Sequence, residues 1–114
     1  MGSSEWGGTQ FKELPTLEAE RMQSGKAYLE FLRVPEMSVG IYVLPSGGTD
    51  LQKPHREPEI YYVIRGRGRM RAGNEDRPVG PGSMVFVPPG VEHRFHDIEE
   101  ELTVLVLFAP AESQ

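Results

Sequence analysis

The residues of this chain whose types and spacing can do chemistry are three histidines and the acids beside them. His55 stands in the run His55-Arg56-Glu57-Pro58-Glu59. His93 and His96 stand in Pro88-Pro89-Gly90-Val91-Glu92-His93-Arg94-Phe95-His96-Asp97. Two imidazoles and one carboxylate hold a divalent metal while leaving positions open for water, oxygen or substrate. Side chains alternate across a strand, so residues an even number apart share a face. Glu59, Tyr61 and Val63 therefore point one way, and Ile60, Tyr62 and Ile64 the other. His93, Phe95 and Asp97 share a face opposite Arg94 and His96. If Glu59 and His93 face an apolar interior, each needs a partner. One metal ion held by two imidazoles and one carboxylate would satisfy all of them at once. Tyr61 and Phe95 fall on the inner faces and are expected to line the cavity wall, as core packing first and substrate contact second. His96 is expected at the surface or behind the ligands, Asp97 to hydrogen-bond within the fold, and Tyr62 to pack under the N-terminal strand or in a dimer interface.

Other chemistries are poorly supplied. The chain has no cysteine, which removes thiolate ligands, disulfides and cysteine nucleophiles. Ser46 and Ser83 lie in turn regions without a base and orienter, so a serine hydrolase is not expected. Gly66-Arg67-Gly68 lacks the third glycine and following helix of a nucleotide-binding fingerprint. A net charge of −5 and a pI near 5.2 argue against nucleic acid as a partner. Arg65, Arg67, Arg69 and Arg71 do alternate along one strand face; a solvated face or interface rim is the leading reading, with an anionic-ligand site the weaker one. No apolar stretch approaches the roughly 20 residues of a membrane helix, and Met1 to Gln10 lacks the pattern of a signal peptide. Together with the absence of cysteine, this predicts a soluble cytoplasmic protein.

The elements that must position these residues are short strands. At 114 residues the chain is sized for one domain. Thirteen glycines and ten prolines fall between short apolar runs, as in an all-β chain of hairpins. Residues 1–13 read as a flexible leader and 14–114 as the single domain. A helix is expected over Thr16 to Ser24, with Thr16 as N-cap and Gly25 just past its end. Strands are expected over Ala27 to Val34, Ser38 to Leu44, Glu59 to Arg65, Gly68 to Ala72, Arg77 to Val79, Ser83 to Val87, Glu92 to Asp97 and Leu102 to Phe108. Gly66 and Gly82 sit where tight turns call for positive φ. This pattern predicts a jelly roll or barrel.

At these same residues the sequence resembles the cupin superfamily. The first cupin motif is a glycine, five residues, His-x-His, three or four residues, Glu, six residues and Gly. Gly47, Lys53, His55, Glu59 and Gly66 fit it in register, with Lys53 where the first histidine stands. The second motif is a glycine, five residues, Pro-x-Gly, two residues, His, three residues and Asn. Gly82, Pro88, Gly90 and His93 match it, with Asp97 for the asparagine. Leu44 to Val63 and His93 to Ile98 are similar to a group of small bacterial cupins of unassigned function that also lack the first histidine.

The resemblance implies a double-stranded β-helix jelly-roll barrel in which His55, Glu59 and His93 ligate one divalent metal ion (iron, manganese, nickel or zinc). A lysine ammonium has no lone pair to donate, so water, substrate or the side-chain oxygen of Gln52 would fill the place at Lys53. The expected function is a metal-dependent enzyme of oxygenase or isomerase type acting on a small organic molecule. The alternatives are a small-molecule binding or sensing barrel without catalysis, and a barrel for protein association. Polar groups in the cavity beyond the ligands would favour the enzyme. A sheet face rich in Val, Leu and Ile predicts a homodimer.

Overall fold

The computed structural model describes residues 6–51 and 54–113. The chain opens with helix α1 (Leu14–Ser24) and continues as six strands: β1 (Tyr28–Val34), β2 (Met37–Leu44), β3 (Glu59–Ala72), β4 (Glu75–Val79), β5 (Met84–Val87) and β6 (His93–Phe108). The helix begins earlier than the sequence predicts. Glu13, not Thr16, is its N-cap residue, and Pro15 occupies the first turn, where its missing N–H removes no helical hydrogen bond. Gly25 ends the helix as expected, in the left-handed conformation (φ 73°), with its N–H donating to the Met22 carbonyl.

All the strands pair antiparallel in one sheet of order β1-β2-β6-β3-β4, with β5 also on β3. The β3–β6 ladder is the spine of the fold. It runs from Glu59 opposite Phe108 to Ala72 opposite His93, and its register shifts between Val63 and Arg69. Strands predicted as separate pieces, 59–65 with 68–72 and 92–97 with 102–108, are thus two continuous strands. Gly66 does not end the first of them. It sits at a fold in the ladder with φ 98°, and a Cβ there would collide with the backbone of Glu101 and Leu102.

Because the ladder folds over at this point, its two far ends face each other. One half carries β1, β2, β5 and the paired ends Glu59–Val63 and Leu102–Phe108; the other carries β4 and the paired ends Gly68–Ala72 and His93–His96. Tyr61, Val63, Phe95, Leu102, Val104 and Phe108 fill the space between, each at most 2% exposed. This is an all-β jelly-roll barrel with one short helix. Alternation holds along β3 from Glu59 to Val63, changes phase at Ile64–Arg65 and resumes with Gly66, Gly68 and Met70 buried; in β6 it breaks at Asp97, which adopts φ 47°. The Asp97 side chain is exposed as a result and does not share the inner face of His93 and Phe95; Ile98 is buried in its place.

The four arginines of β3 point outward, and acids meet them. Arg65 makes a two-point contact with Glu18 of α1, at 2.7 and 2.8 Å. Arg67 lies 3.5 and 3.3 Å from Glu99 and Glu100. Asp76 is 3.0 Å from Arg69 and 3.8 Å from Arg71. The stripe is a solvated, charge-balanced face. No described helix is long and apolar enough to cross a membrane.

Candidate metal centre

The fold of the β3–β6 ladder brings together residues that its register holds far apart. Glu59 begins β3 and His93 begins β6, at opposite ends of the paired strands, yet Glu59 Oε1 lies 2.9 Å from His93 Nε2. His55 precedes β3 in an irregular segment, where its carbonyl accepts a hydrogen bond from Gly90 N–H at 2.8 Å. That bond ties the two histidine-bearing segments to each other. His55 Nε2 then stands 3.9 Å from Glu59 Oε1, and the two imidazole centroids are 5.8 Å apart. One donor atom from each of His55, Glu59 and His93 falls within 4.8 Å of the other two.

The chemistry of the cluster follows from its burial. Glu59 is 2% exposed, and among the described residues neither of its carboxylate oxygens has a hydrogen bond. Buried anionic oxygens without donors are costly unless a cation meets them. His93 Nδ1 sits 2.9 Å from the Val91 carbonyl, so that nitrogen carries the proton and donates it. Nε2 is then the atom turned to the cluster, an arrangement that fixes a metal-binding tautomer. Burial pushes the His93 imidazole toward the neutral form. The Glu59 carboxylate, the Val91 carbonyl and the charge of Asp50 more than offset this and raise its pKa above the ordinary value. Two imidazole nitrogens and one carboxylate, drawn together with an unsatisfied negative charge between them, suit a divalent transition metal.

Tyr61 and Phe95 do line the interior. They are 0% and 1% exposed, and their rings meet edge to face at 5.1 Å. Tyr61 is more than packing, since its hydroxyl lies 2.9 Å from His93 Nε2. His96 is on the outer face, 3.0 Å from Asp76, and takes no part in the cluster. Tyr62 is exposed on the outer sheet face. Gln52 and Lys53 lie outside the described residues.

Of three further contributors, Asp50 lies in the Leu44 to Val63 stretch that resembles the small bacterial cupins, while Glu112 and Tyr28 carried no sequence signal. Asp50 is buried; it accepts from the Tyr42 hydroxyl at 2.8 Å and the Phe95 N–H at 2.9 Å, and so braces the inner end of β6. Glu112 lies beyond the last strand, yet its Oε2 stands 3.3 Å from His55 Nδ1. Burial raises the Glu112 pKa, with the charge of His55 opposing and Glu59, Glu30 and Glu57 adding to the rise. Tyr28 points its hydroxyl inward without a hydrogen-bond partner among the described residues, and burial raises its pKa well above the phenolic range. With Tyr42, His55, Val106 and Phe108, Tyr28 and Glu112 enclose a cavity of about 210 Å³. His93 also borders a wider opening shared with Asp50, Arg71 and Arg94.

The family model for a cupin domain matches residues 40–109. The chain is a cupin. An uncharacterized protein of Streptomyces coelicolor is 53% identical over 100 residues, which covers 88% of this chain and 95% of that protein. Among solved structures, TT1209 from Thermus thermophilus is similar with a TM-score of 0.73 and 27% identity, covering 90% of this cupin and 99% of that chain. The DMSP lyase DddQ from Ruegeria pomeroyi is similar with a TM-score of 0.62 and 26% identity. That match covers 66% of this cupin and 39% of the lyase chain.

Proposed function

We propose that this cupin is a metal-dependent enzyme acting on a small organic molecule, with His55, Glu59 and His93 holding one divalent metal ion. The observation that carries the reading is Glu59: a buried carboxylate, without hydrogen bonds to either oxygen among the described residues, with an imidazole nitrogen 2.9 Å from one of them and a second imidazole nearby. When bound, such an ion supplies Lewis-acid polarisation or oxygen activation, according to its identity. The chain's own residues do the rest. Val91 orients His93, the apolar wall of Val106 and Phe108 excludes water, and Tyr61 places its hydroxyl 2.9 Å from His93 Nε2, beside the ligand atoms, where it can hydrogen-bond a bound molecule.

Turnover is favoured over passive binding because the cavity has polar groups beyond the three ligands. Tyr28, Tyr42 and Glu112 line it together with His55. That a structurally similar barrel is a DMSP lyase supports a catalytic role for the site without naming its substrate. A homodimer belongs to the same reading, through the apolar outer face of the sheet.

Elemental mass spectrometry on protein purified without a nickel column tests the centre, in wild type and His93→Ala. About one equivalent of metal, lost in the variant, is the expected result. Iron would direct the search to oxygenase chemistry, and zinc or manganese to isomerase chemistry. A wild type that retains no metal, even after incubation with each ion, would overturn the reading.

A further inference from the structure

We propose that Glu112 is the positioning residue of His55: from behind the ring it holds Nδ1, so that Nε2 is presented to Glu59 and His93. The inference rests on the reading of that cluster as a metal centre. The two ring nitrogens of His55 face different carboxylates. Nε2 is 3.9 Å from Glu59 Oε1, inside the cluster, while Nδ1 is 3.3 Å from Glu112 Oε2, outside it. A carboxylate on the far nitrogen of a ligating imidazole sets the proton on that nitrogen, orients the ring and strengthens the lone pair on the other. His93 receives the same service from the Val91 carbonyl at 2.9 Å. His55 comes from an irregular segment and not from a strand.

The segment that carries Glu112 is held in place. Ala109 N–H donates to the Pro58 carbonyl at 3.5 Å, and Ala111 N–H to the Pro35 carbonyl at 3.3 Å. The backbone of Glu112 is engaged at both ends. Its N–H donates to Ser38 Oγ at 2.9 Å, and its carbonyl accepts from Arg33 at 2.6 Å. Ser38 is fully buried, so the first of these bonds is shielded from water. Ser113 then hydrogen-bonds the buried Glu57 carboxyl, two residues from His55. The strap therefore crosses from the β1–β2 turn to the His55 segment and delivers one carboxylate to the cavity wall.

The test uses the full chain with Co²⁺ as probe, followed by visible absorption, in wild type, Glu112→Ala and Glu112→Gln. Glu112→Ala is expected to weaken Co²⁺ binding by about 10–100-fold. Glu112→Gln keeps an acceptor oxygen and should fall between alanine and wild type. In the metal-free proteins, ¹⁵N NMR of the imidazoles gives a second readout at fixed pH. Wild type and Glu112→Gln should carry the His55 proton on Nδ1, and Glu112→Ala should lose that preference, which a merely structural role would not produce. Wild-type Co²⁺ affinity in Glu112→Ala, or unchanged His55 nitrogen shifts in that variant, would overturn the proposal. A wild type that binds no Co²⁺ would instead sink the metal reading, and the NMR comparison would still decide whether Glu112 orients His55.

Discussion

Glu59 brings a carboxylate into the apolar interior of the barrel, and this has a measurable cost when no cation is supplied. Its oxygens have no hydrogen bond among the described residues, and His93 Nε2 stands 2.9 Å from Oε1. Glu59→Gln replaces the charge with an amide that can donate to His93 Nε2. In the presence of a chelator, the variant should be more stable than wild type in urea denaturation, by about 1 kcal/mol. The same variant should lose metal uptake, so stability and function move in opposite directions at one residue. A Glu59→Gln chain less stable than wild type in chelator would mean that the carboxylate is well satisfied without a metal. The three members of this cluster were legible from type, spacing and alternation because each lies in or beside a strand with a regular period. Glu112 was not. It follows the last strand in a segment without periodicity, and its contact with His55 depends on where the strap crosses the sheet, which no local pattern encodes.

Elements decide whether that cluster exists at all. The ends of β3 and β6 meet only because their ladder folds at Gly66, where φ is positive and Glu101 and Leu102 pass close by. Gly66→Ala adds a methyl against the backbone of another strand in a conformation that L side chains rarely adopt. The variant should lose about 3 kcal/mol in urea denaturation and should bind metal less well than any surface variant. An alanine tolerated within a few tenths of a kcal/mol would show that the fold in the ladder does not depend on that glycine. The positive φ at Gly66 was readable in the sequence. What it produced was not: a turn between two strands and a bend within one strand call for the same residue. Asp97 misled for a related reason, since a single left-handed residue reverses the inside-outside pattern that follows it.

The helix offers an electrostatic prediction at the same scale. Arg65 hydrogen-bonds Glu18 and holds its carboxyl below the ordinary value of 4.5, against the opposing effect of burial. A group whose pKa is lowered by folding contributes stability above its unfolded value, and that contribution disappears as pH falls through the folded value. The pair fastens α1 to β3, so acid should weaken that attachment below about pH 4.5. Glu18→Gln should lower stability near neutral pH by no more than about 1 kcal/mol, because Arg65 is half exposed. The difference from wild type should vanish at low pH. A difference that persists in acid would assign the effect to packing of the side chain and not to its charge.

At the scale of the whole molecule, the sheet has an outer face that the described residues leave uncovered. Across the strands, Phe86 stands beside Ile60 and Leu107, and Met84 beside Tyr62 and Leu105. Phe86, Met84 and Tyr62 are 61%, 67% and 41% exposed, while α1 packs at the other edge of the sheet against β1 and β2. Contiguous apolar rows of this kind mark an association surface, and a two-fold pairing of the same patch on two copies closes without leaving an edge for further growth. The sequence pointed to an apolar outer face through the alternation of Ile60, Tyr62 and Ile64, but could not show which part of it the helix leaves bare. Phe86→Glu places a charge in the middle of the patch, where burial against a second copy would leave it unpaired. Sedimentation velocity over a range of concentrations should show wild type as a dimer and Phe86→Glu as a monomer. The metal content of the variant should match wild type, because His55, Glu59 and His93 lie between the sheet halves, behind that face. A wild type that remains monomeric at high concentration would rule out self-association through these rows.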